Sequence, residues 1–190
     1  MKTDHSYYDY FEASPIIAAV RDEAGLEEAL AAPVSVIFLL NAALNNLKNR
    51  VQRVEAAGKK AFVHLEMVAG LSKDQAALEF LKAEIGPSGI ITTKPSLVQP
   101  ARHLGLLTIQ RLFVLDSLSI QTGLKMIQTH RPDLIEIMPG TLPKAIVEFR
   151  THEAVPIIAG GMVSTKEEII ELLKVGAVAV STSRKGLWRL

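Results

Sequence analysis

The fold is decided by a stretch near the carboxyl terminus, VPIIAGGMVSTKEEIIELLKVGAVAVSTS at residues 155–183. It contains an apolar run at Pro156–Ala159, a Gly-Gly pair, a helical segment that Gly176 closes, and a second apolar run at Ala177–Ser181. Runs that are apolar at successive positions are typical of strands buried on both faces. A strand, a helix and a second strand in this order predict a parallel sheet with helices outside it.

The same alternation extends over the whole chain, because helical patterns separate short runs that are rich in Val and Ile. The predicted strands are Ile16–Val20, Val36–Leu40, Ala61–Leu65, Gly89–Thr92, Leu107–Arg111, Leu134–Ile137, Pro156–Ala159 and Ala177–Ser181. Eight such strands predict one α/β domain over residues 1–190, a compact (β/α)8 barrel of the TIM type with parallel strands. An open doubly wound sheet would need a glycine-rich turn after the first strand, where the chain reads AAVRDEAG (18–25).

Helix boundaries are predicted from residues that commonly cap helices. Ser72 with Gln75, and Ser164 with Glu167, have the spacing of a capping box. The glycines expected to close helices are Gly58, Gly86 and Gly176.

Composition excludes several classes of protein. The chain has 190 residues, is 48% hydrophobic and contains no cysteine, so it has no disulfide framework and no cysteine-ligated zinc. We expect a cytoplasmic protein, since there is no cysteine and the amino-terminal sequence lacks the apolar core of a signal peptide. No apolar run is long enough to span a membrane. The net charge of +1 gives no support for binding nucleic acid through overall charge.

The working face of such a barrel lies at the carboxyl ends of the strands, and two loops there suit an anion. Gly160 and Gly161 follow the seventh strand, where bare backbone can approach a ligand. Ser181, Thr182 and Ser183 follow the eighth strand and supply hydroxyl and N–H groups. These two loops hold phosphate in many barrels of this type, which predicts a phosphate site. The alternative is a tight turn and a hydroxyl-capped helix.

Charged residues end several other strands and are expected to point into the mouth of the barrel, because burial against the helices is costly. Arg21, Lys94 and Arg111 are candidates to complement a phosphate or a carboxylate. Glu66 and Glu136 are candidates to hydrogen-bond ligand hydroxyls or to act as acid and base. The alternative is that these five residues pair with one another inside the barrel.

No cofactor or metal ion is expected, because the sequence has no HxxxH pair, acidic cluster or Walker loop. His64 lies two residues before Glu66, and we interpret it as an interior histidine with satisfied ring nitrogens. The candidates for RNA contact are Arg50 and Arg53 on a helix, and Arg184, Lys185 and Arg189 near the carboxyl terminus. The alternative is an ordinary solvated basic surface.

Several motifs together closely resemble the bacterial family of glycerol-3-phosphate-responsive antiterminators. They are PIIAAV (15–20), GKKAFVHLEMVAGLSKD (58–74), GIITTK (89–94), LGLLTIQRLFVLDS (104–117), PDLIEIMPG (132–140), VPIIAGGMVSTKEEI (155–169) and GAVAVSTS (176–183). The likeness extends from about residue 14 to the carboxyl terminus. It implies a compact barrel that is not an enzyme and that binds the leader mRNA of glycerol-utilisation genes when glycerol 3-phosphate is present.

The resemblance also implies roles for individual residues. Those expected to hold the phosphate are Gly160, Gly161, Ser181 and Thr182. Those expected to surround the glycerol end are Glu66, Lys94, Arg111 and Glu136. One departure from the family pattern is NAALNN (41–46), where we expect an aromatic and an acidic residue, and which bears on the response to the effector.

Two questions stay open at this stage. A homo-oligomer is compatible with the sequence. The alternative function is a barrel enzyme acting on a small phosphorylated polyol or sugar, with Glu66 and Glu136 as acid and base and Lys94 as a Schiff-base amine.

Overall fold

A computed structural model of the chain describes residues 8–190 and contains a closed barrel of eight parallel strands. The strands are β1 Ile16–Val20, β2 Val36–Leu39, β3 Lys60–His64, β4 Gly89–Thr92, β5 Leu107–Phe113, β6 Leu134–Met138, β7 Ile157–Gly160 and β8 Ala179–Thr182. β1 pairs with both β2 and β8, which closes the barrel. The predicted (β/α)8 fold is therefore confirmed, with strand bounds that agree to within two residues.

Helices surround the barrel. They are α1 Tyr8–Ala13, α2 Glu23–Ala31, α3 Leu44–Ala56, α4 Gln75–Phe80, α5 Val98–His103, α6 Ser117–His130, α7 Pro143–His152 and α8 Lys166–Lys174. A π turn at Leu81–Ile85 continues α4, and single 3-10 turns lie at Leu65–Met67, Pro95–Leu97 and Lys185–Arg189. A two-stranded ribbon pairs Ala42–Ala43 with Val68–Ala69. Within residues 8–190, no helix has the length and apolar character needed to cross a membrane.

The predicted capping residues are wrong by one or two positions. Asp74, not Ser72, caps α4, and its carboxylate accepts a hydrogen bond from the backbone N–H of the third helical residue. The capping box of α8 starts at Thr165, not Ser164, with Glu168 as its second member. Both capping residues have the extended backbone that an N-cap requires. The predicted closing glycines all have a positive φ: Gly58, Gly86 and Gly176.

Side chains from alternate strand positions fill the interior of the barrel. The buried members of this cluster are Phe11, Ile17, Val36, Phe38, Phe62, Ile91, Ile109, Leu134, Ile158 and Ala179. Phe38 and Phe62 meet edge to face, with ring centroids 5.9 Å apart. Phe11 comes from α1, which precedes β1, so this helix packs against the amino-terminal end of the interior. The polar residues that continue the alternation therefore lie at the carboxyl end.

Gly89 occupies a tightly packed position in this interior. A Cβ on it would lie 2.4 Å from the carbonyl oxygen of Leu107 and 2.6 Å from Cε1 of Phe62. Gly89→Ala must therefore displace a strand or an aromatic ring, and we expect a loss of about 1–3 kcal/mol in the free energy of unfolding measured in urea. Gly186→Ala is the control, because its Cβ would meet no atom within 4 Å. Equal stabilities for the two variants would contradict this packing.

Candidate functional site

A cavity of about 340 Å³ opens at the carboxyl end of the barrel, beside the loops that follow β7 and β8. Several of the residues that line it stand at the ends of strands, at positions where the alternation of side chains along the strand directs them into the barrel. The predicted site residues that line it are Arg21, Arg111, Glu136, Gly161, Ser181 and Thr182. The structure therefore brings most of the predicted anion site together.

A buried ion pair forms the floor of the cavity. Glu136 is fully buried, and one of its oxygens accepts a hydrogen bond from Ser181 Oγ at 2.6 Å. The other oxygen accepts a hydrogen bond from Arg111 Nε at 2.7 Å. Gly160 leaves room for this arrangement, because a Cβ there would lie 2.3 Å from Glu136 Oε1. Gly160 thus packs under the carboxylate, and its Cα faces this carboxylate.

The hydroxyl groups predicted to bind phosphate form internal hydrogen bonds. Besides the bond of Ser181 in the floor, Thr182 Oγ1 donates to the carbonyl oxygen of Val163 at 2.9 Å and accepts from the N–H of Arg184 at 3.1 Å. The carbonyl of Thr182 accepts from Trp188 Nε1 at 2.8 Å. These side chains join the loops after β7 and β8 and anchor the last turn of the chain.

The protein's own carboxylate, that of Glu168, lies at the amino terminus of α8, next to the cavity, on two backbone N–H groups that precede the helix. Glu168 Oε2 accepts hydrogen bonds from the backbone N–H of Ser164 at 2.7 Å and of Thr165 at 3.0 Å. These hydrogen bonds, first that from Ser164, hold the pKa of Glu168 below its usual range. A ligand anion is therefore expected beside this helix end and not on it.

The unbalanced positive charge of the cavity comes from Arg21 and Arg184. Both side chains are exposed, both line the cavity, and neither forms an ion pair with another described residue. Arg184 was predicted as an RNA contact. The structure also places it in the lining of the cavity, and its position two residues after the end of β8 is the sequence signal for this. Together with Gly161, at a φ of 77°, these side chains suit a small dianion.

Glu66 and Lys94 lie outside the lining of this cavity. The carboxylate of Glu66 accepts hydrogen bonds from Thr92 Oγ1 at 2.5 Å and from the N–H of Thr93 at 3.3 Å. Lys94 is exposed, and Ile90, which has the same strand parity, packs against the helix layer. The acid, base and Schiff-base residues of the alternative enzyme are therefore not assembled in one cavity.

His64 is an unsatisfied interior histidine, contrary to the sequence expectation. It is 4% exposed, and neither ring nitrogen has a hydrogen-bond partner in the described chain. Its Nδ1 lies 3.8 Å from Glu66 Oε2. Burial, followed by the positive charge of Arg111, lowers the pKa of His64 to about 4. The imidazole is consequently neutral near pH 7.

Carboxylates of α2 engage three of the residues predicted to contact RNA. The pairs are Arg50–Glu23 at 3.3 Å, Arg53–Glu23, Arg53–Glu27, and Lys185–Glu28 at 2.6 Å. Arg50 is only 9% exposed, and such burial argues against a contact with RNA. Arg184 and Arg189 remain exposed at the carboxyl terminus.

The segment NAALNN (41–46), which departs from the family pattern, leads into the first residues of α3. The side chain of Asn46 accepts a hydrogen bond from the N–H of Ala43 at 3.1 Å, and the carbonyl of Asn41 accepts one from Arg50 at 2.7 Å. Local hydrogen bonds therefore hold this loop, which adjoins Arg21 at the edge of the mouth.

The fold and the cavity define a (β/α)8 barrel with a polar, arginine-lined site at its carboxyl mouth. Barrels of this kind host many unrelated functions, so the architecture alone does not assign one. Residues 16–188 match the family described as glycerol-3-phosphate responsive antiterminator. The chain belongs to this family, which confirms the resemblance seen in the sequence.

Relatives and solved structures agree with this assignment. The glycerol uptake operon antiterminator regulatory protein of Listeria monocytogenes is 36% identical, with a TM-score of 0.89 over 92% of this chain and 95% of that one. An antiterminator-related protein of Thermotoga maritima is also 36% identical, with a TM-score of 0.83 over 92% and 98% of the two chains. The uncharacterized protein YgcP of Escherichia coli K12 is 37% identical over 177 residues, 93% of each chain. An aldolase at 11% identity and a TM-score of 0.71 shares the fold alone.

The depressed pKa of His64 predicts a pH-dependent stability. Between the ordinary histidine pKa of 6.5 and about 4, the unfolded chain takes up a proton that the folded chain does not. The free energy of unfolding should therefore fall as the pH drops through this window, with a contribution from His64 of at most about 3 kcal/mol. Urea titrations at several pH values should show a shallower fall for His64→Gln than for the natural chain. Parallel pH profiles for the two proteins would contradict a neutral, buried imidazole.

Proposed function

We propose that this protein is a glycerol-3-phosphate-responsive regulator of transcription antitermination that binds the leader mRNA of glycerol-utilisation genes. Family membership over residues 16–188 supports a regulator over an enzyme. The observation that carries the effector proposal is the cavity at the carboxyl mouth, where Arg21 and Arg184 lie beside Gly161 without carboxylate partners among the described residues.

The chemistry of glycerol 3-phosphate complements this cavity. A phosphomonoester carries about −1.5 to −2 charges near pH 7, which two guanidinium groups balance. In the proposed complex the phosphate lies against Gly161, Ser183 and Arg184. The glycerol hydroxyls then face the floor formed by Arg111 and Glu136, where charged groups offer both donors and acceptors.

Arg184 connects the effector site to the proposed RNA contact. It lines the cavity, and its N–H is bonded to Thr182, whose carbonyl anchors the turn Lys185–Arg189. In the proposed mechanism, phosphate binding fixes Arg184 and presents the neighbouring exposed Arg189 to RNA. Gating requires that the effector bind the RNA-competent state more tightly than the other state, since equal affinities shift no equilibrium.

A thermal-shift series tests the effector site. Glycerol 3-phosphate at 100 times its dissociation constant should add about 2.7 kcal/mol to the free energy of unfolding, whereas glycerol and inorganic phosphate should add less. Gly161→Asp places a carboxylate in the cavity and should abolish the gain. Gly161→Asn is the matched control, because Asn tolerates a positive φ and carries no charge, and it should retain part of the gain. Equal stabilisation by all three compounds would refute the site.

Gel-shift titrations with the leader transcript test the gating. We expect glycerol 3-phosphate to increase the affinity of the natural chain for RNA. Arg184→Ala should remove this dependence because it removes a phosphate partner, whereas Lys174→Ala, at the far end of α8, should behave like the natural chain. An RNA affinity that is the same with and without the effector would exclude ligand-gated binding.

A further inference from the structure

A second compartment, of about 220 Å³, adjoins the effector cavity at the carboxyl mouth. Its lining residues come from Arg21 after β1, from the segment 41–50 and from Ala69 in the two-stranded ribbon. Arg21 lines both the effector cavity and this second compartment. Leu40 of the cavity lining also directly precedes Asn41 of the compartment lining in the chain. A ligand held in the cavity therefore has the second compartment beside it.

The side chains around this compartment have unused hydrogen-bonding groups. Arg50 is 9% exposed, and its Nε has no hydrogen-bond partner in the described chain. Buried polar groups are normally hydrogen-bonded, so an unpartnered guanidinium N–H at the wall of a compartment favours a polar ligand there. Asn46 caps α3 with its side-chain oxygen, which leaves the N–H groups of its amide available. Within residues 8–190, Asn41 bonds to Arg50 through its backbone carbonyl, so its side-chain amide stays available as well.

The charges around the compartment favour hydroxyl groups over a second anion. Glu23 Oε2 lies 3.3 Å from Arg50 Nη2 and compensates the charge of this guanidinium. Arg21 is one of the two guanidinium groups that balance the effector phosphate in the proposed function. No other described residue of the lining is charged. The amides that remain both donate and accept hydrogen bonds, which matches the hydroxyls of a polyol.

The walls of the compartment leave room for a carbon chain. Ala42, Ala43 and Ala69 line it, each with a side chain of a single methyl group. In the proposed complex with glycerol 3-phosphate, the glycerol hydroxyls already face the floor formed by Arg111 and Glu136. A three-carbon effector therefore leaves the second compartment unused, whereas a longer hydroxylated chain can enter it.

We propose that the effector site also binds phosphorylated polyols of four or five carbons, whose additional hydroxyl groups bind Asn41 and Asn46 in the second compartment. The inference rests on the proposed effector site and extends the class of ligand that this site takes. The phosphate keeps its place beside Gly161 and Arg184, and the polyol chain extends past Arg21, which the two compartments share.

Isothermal titration calorimetry of the full chain tests the ligand class. The polyol probes are glycerol 3-phosphate, erythritol 4-phosphate and ribitol 5-phosphate, which differ in the length of the hydroxylated chain. The anionic comparison is 4-phosphoerythronate, which ends in a carboxylate. An additional hydrogen bond typically tightens binding about two- to tenfold. We therefore expect both longer polyol phosphates to bind at least about twofold more tightly than glycerol 3-phosphate.

Variants of the second compartment test where the additional hydroxyls bind. Asn41→Ala removes the amide but keeps the backbone carbonyl that holds Arg50, and should bring the affinity for erythritol 4-phosphate to about that for glycerol 3-phosphate. Ala69→Leu fills the compartment and should also remove the preference for the longer ester. Asn45→Ala is the matched control, because Asn45 is an exposed amide of α3 that does not line the compartment, and it should keep the natural preference.

Glycerol 3-phosphate binding as tight as that of both longer polyol phosphates would overturn this inference and leave the proposed function standing. A preference for the longer esters that persists in both Asn41→Ala and Ala69→Leu would overturn the assignment to this compartment. Tighter binding of 4-phosphoerythronate than of erythritol 4-phosphate would overturn the choice of a neutral polyol. Failure of the natural chain to bind any of the three polyol phosphates would instead defeat the proposed effector site itself.

Discussion

The negative charge of the buried Glu136 carboxylate must be compensated inside the barrel, and the residues that do so determine the arrangement of the carboxyl mouth. The partners of this carboxylate come from both sides of β6: Arg111 from β5, and Ser181 from β8, across Gly160 of β7. Four consecutive strands of the closed sheet are thus joined by one ion pair and one hydroxyl. Breaking a buried pair by removing one partner typically costs about 3–5 kcal/mol, because the other charge is left uncompensated. The floor of the cavity is therefore a rigid structural element.

The polar groups around this rigid floor are of two kinds: those that hold the structure together and those that remain available to a ligand. Ser181 donates to Glu136, Thr182 donates to the carbonyl of Val163, and Glu168 accepts from the N–H of Ser164, so each of these groups already has a partner within the protein. Arg21 and Arg184 extend above the floor without carboxylate partners in the described chain. Binding an anion there disrupts no internal bond, so the full strength of two charge-assisted contacts is available to the ligand.

The sequence predicts the barrel well because both-face burial produces apolar runs that are easy to recognise. Because the ends of these apolar runs can be located, the sequence also predicts the polar residues at the ends of β5, β6 and β8. Lys94 lies outside the cavity lining, and the sequence does not show this because Gly89, which faces the interior, has no side chain to mark the inward face of β4. Since Ile90 and Ile91 are both apolar, GIITTK does not show which of them points inward. The ion pairs that engage Arg50 and Lys185 depend on α2, which local patterns do not place.

The chemistry of the mouth favours reversible binding over catalysis within a fold that also serves aldolases. Both oxygens of Glu136 already accept hydrogen bonds from the protein, one from Arg111 and one from Ser181. His64 is neutral and buried, and Lys94 lies outside the cavity. What the cavity does offer is positive charge, unpaired within residues 8–190, on loops that continue into an exposed basic turn. A regulator needs this combination, because its ligand must alter the protein and then leave unchanged.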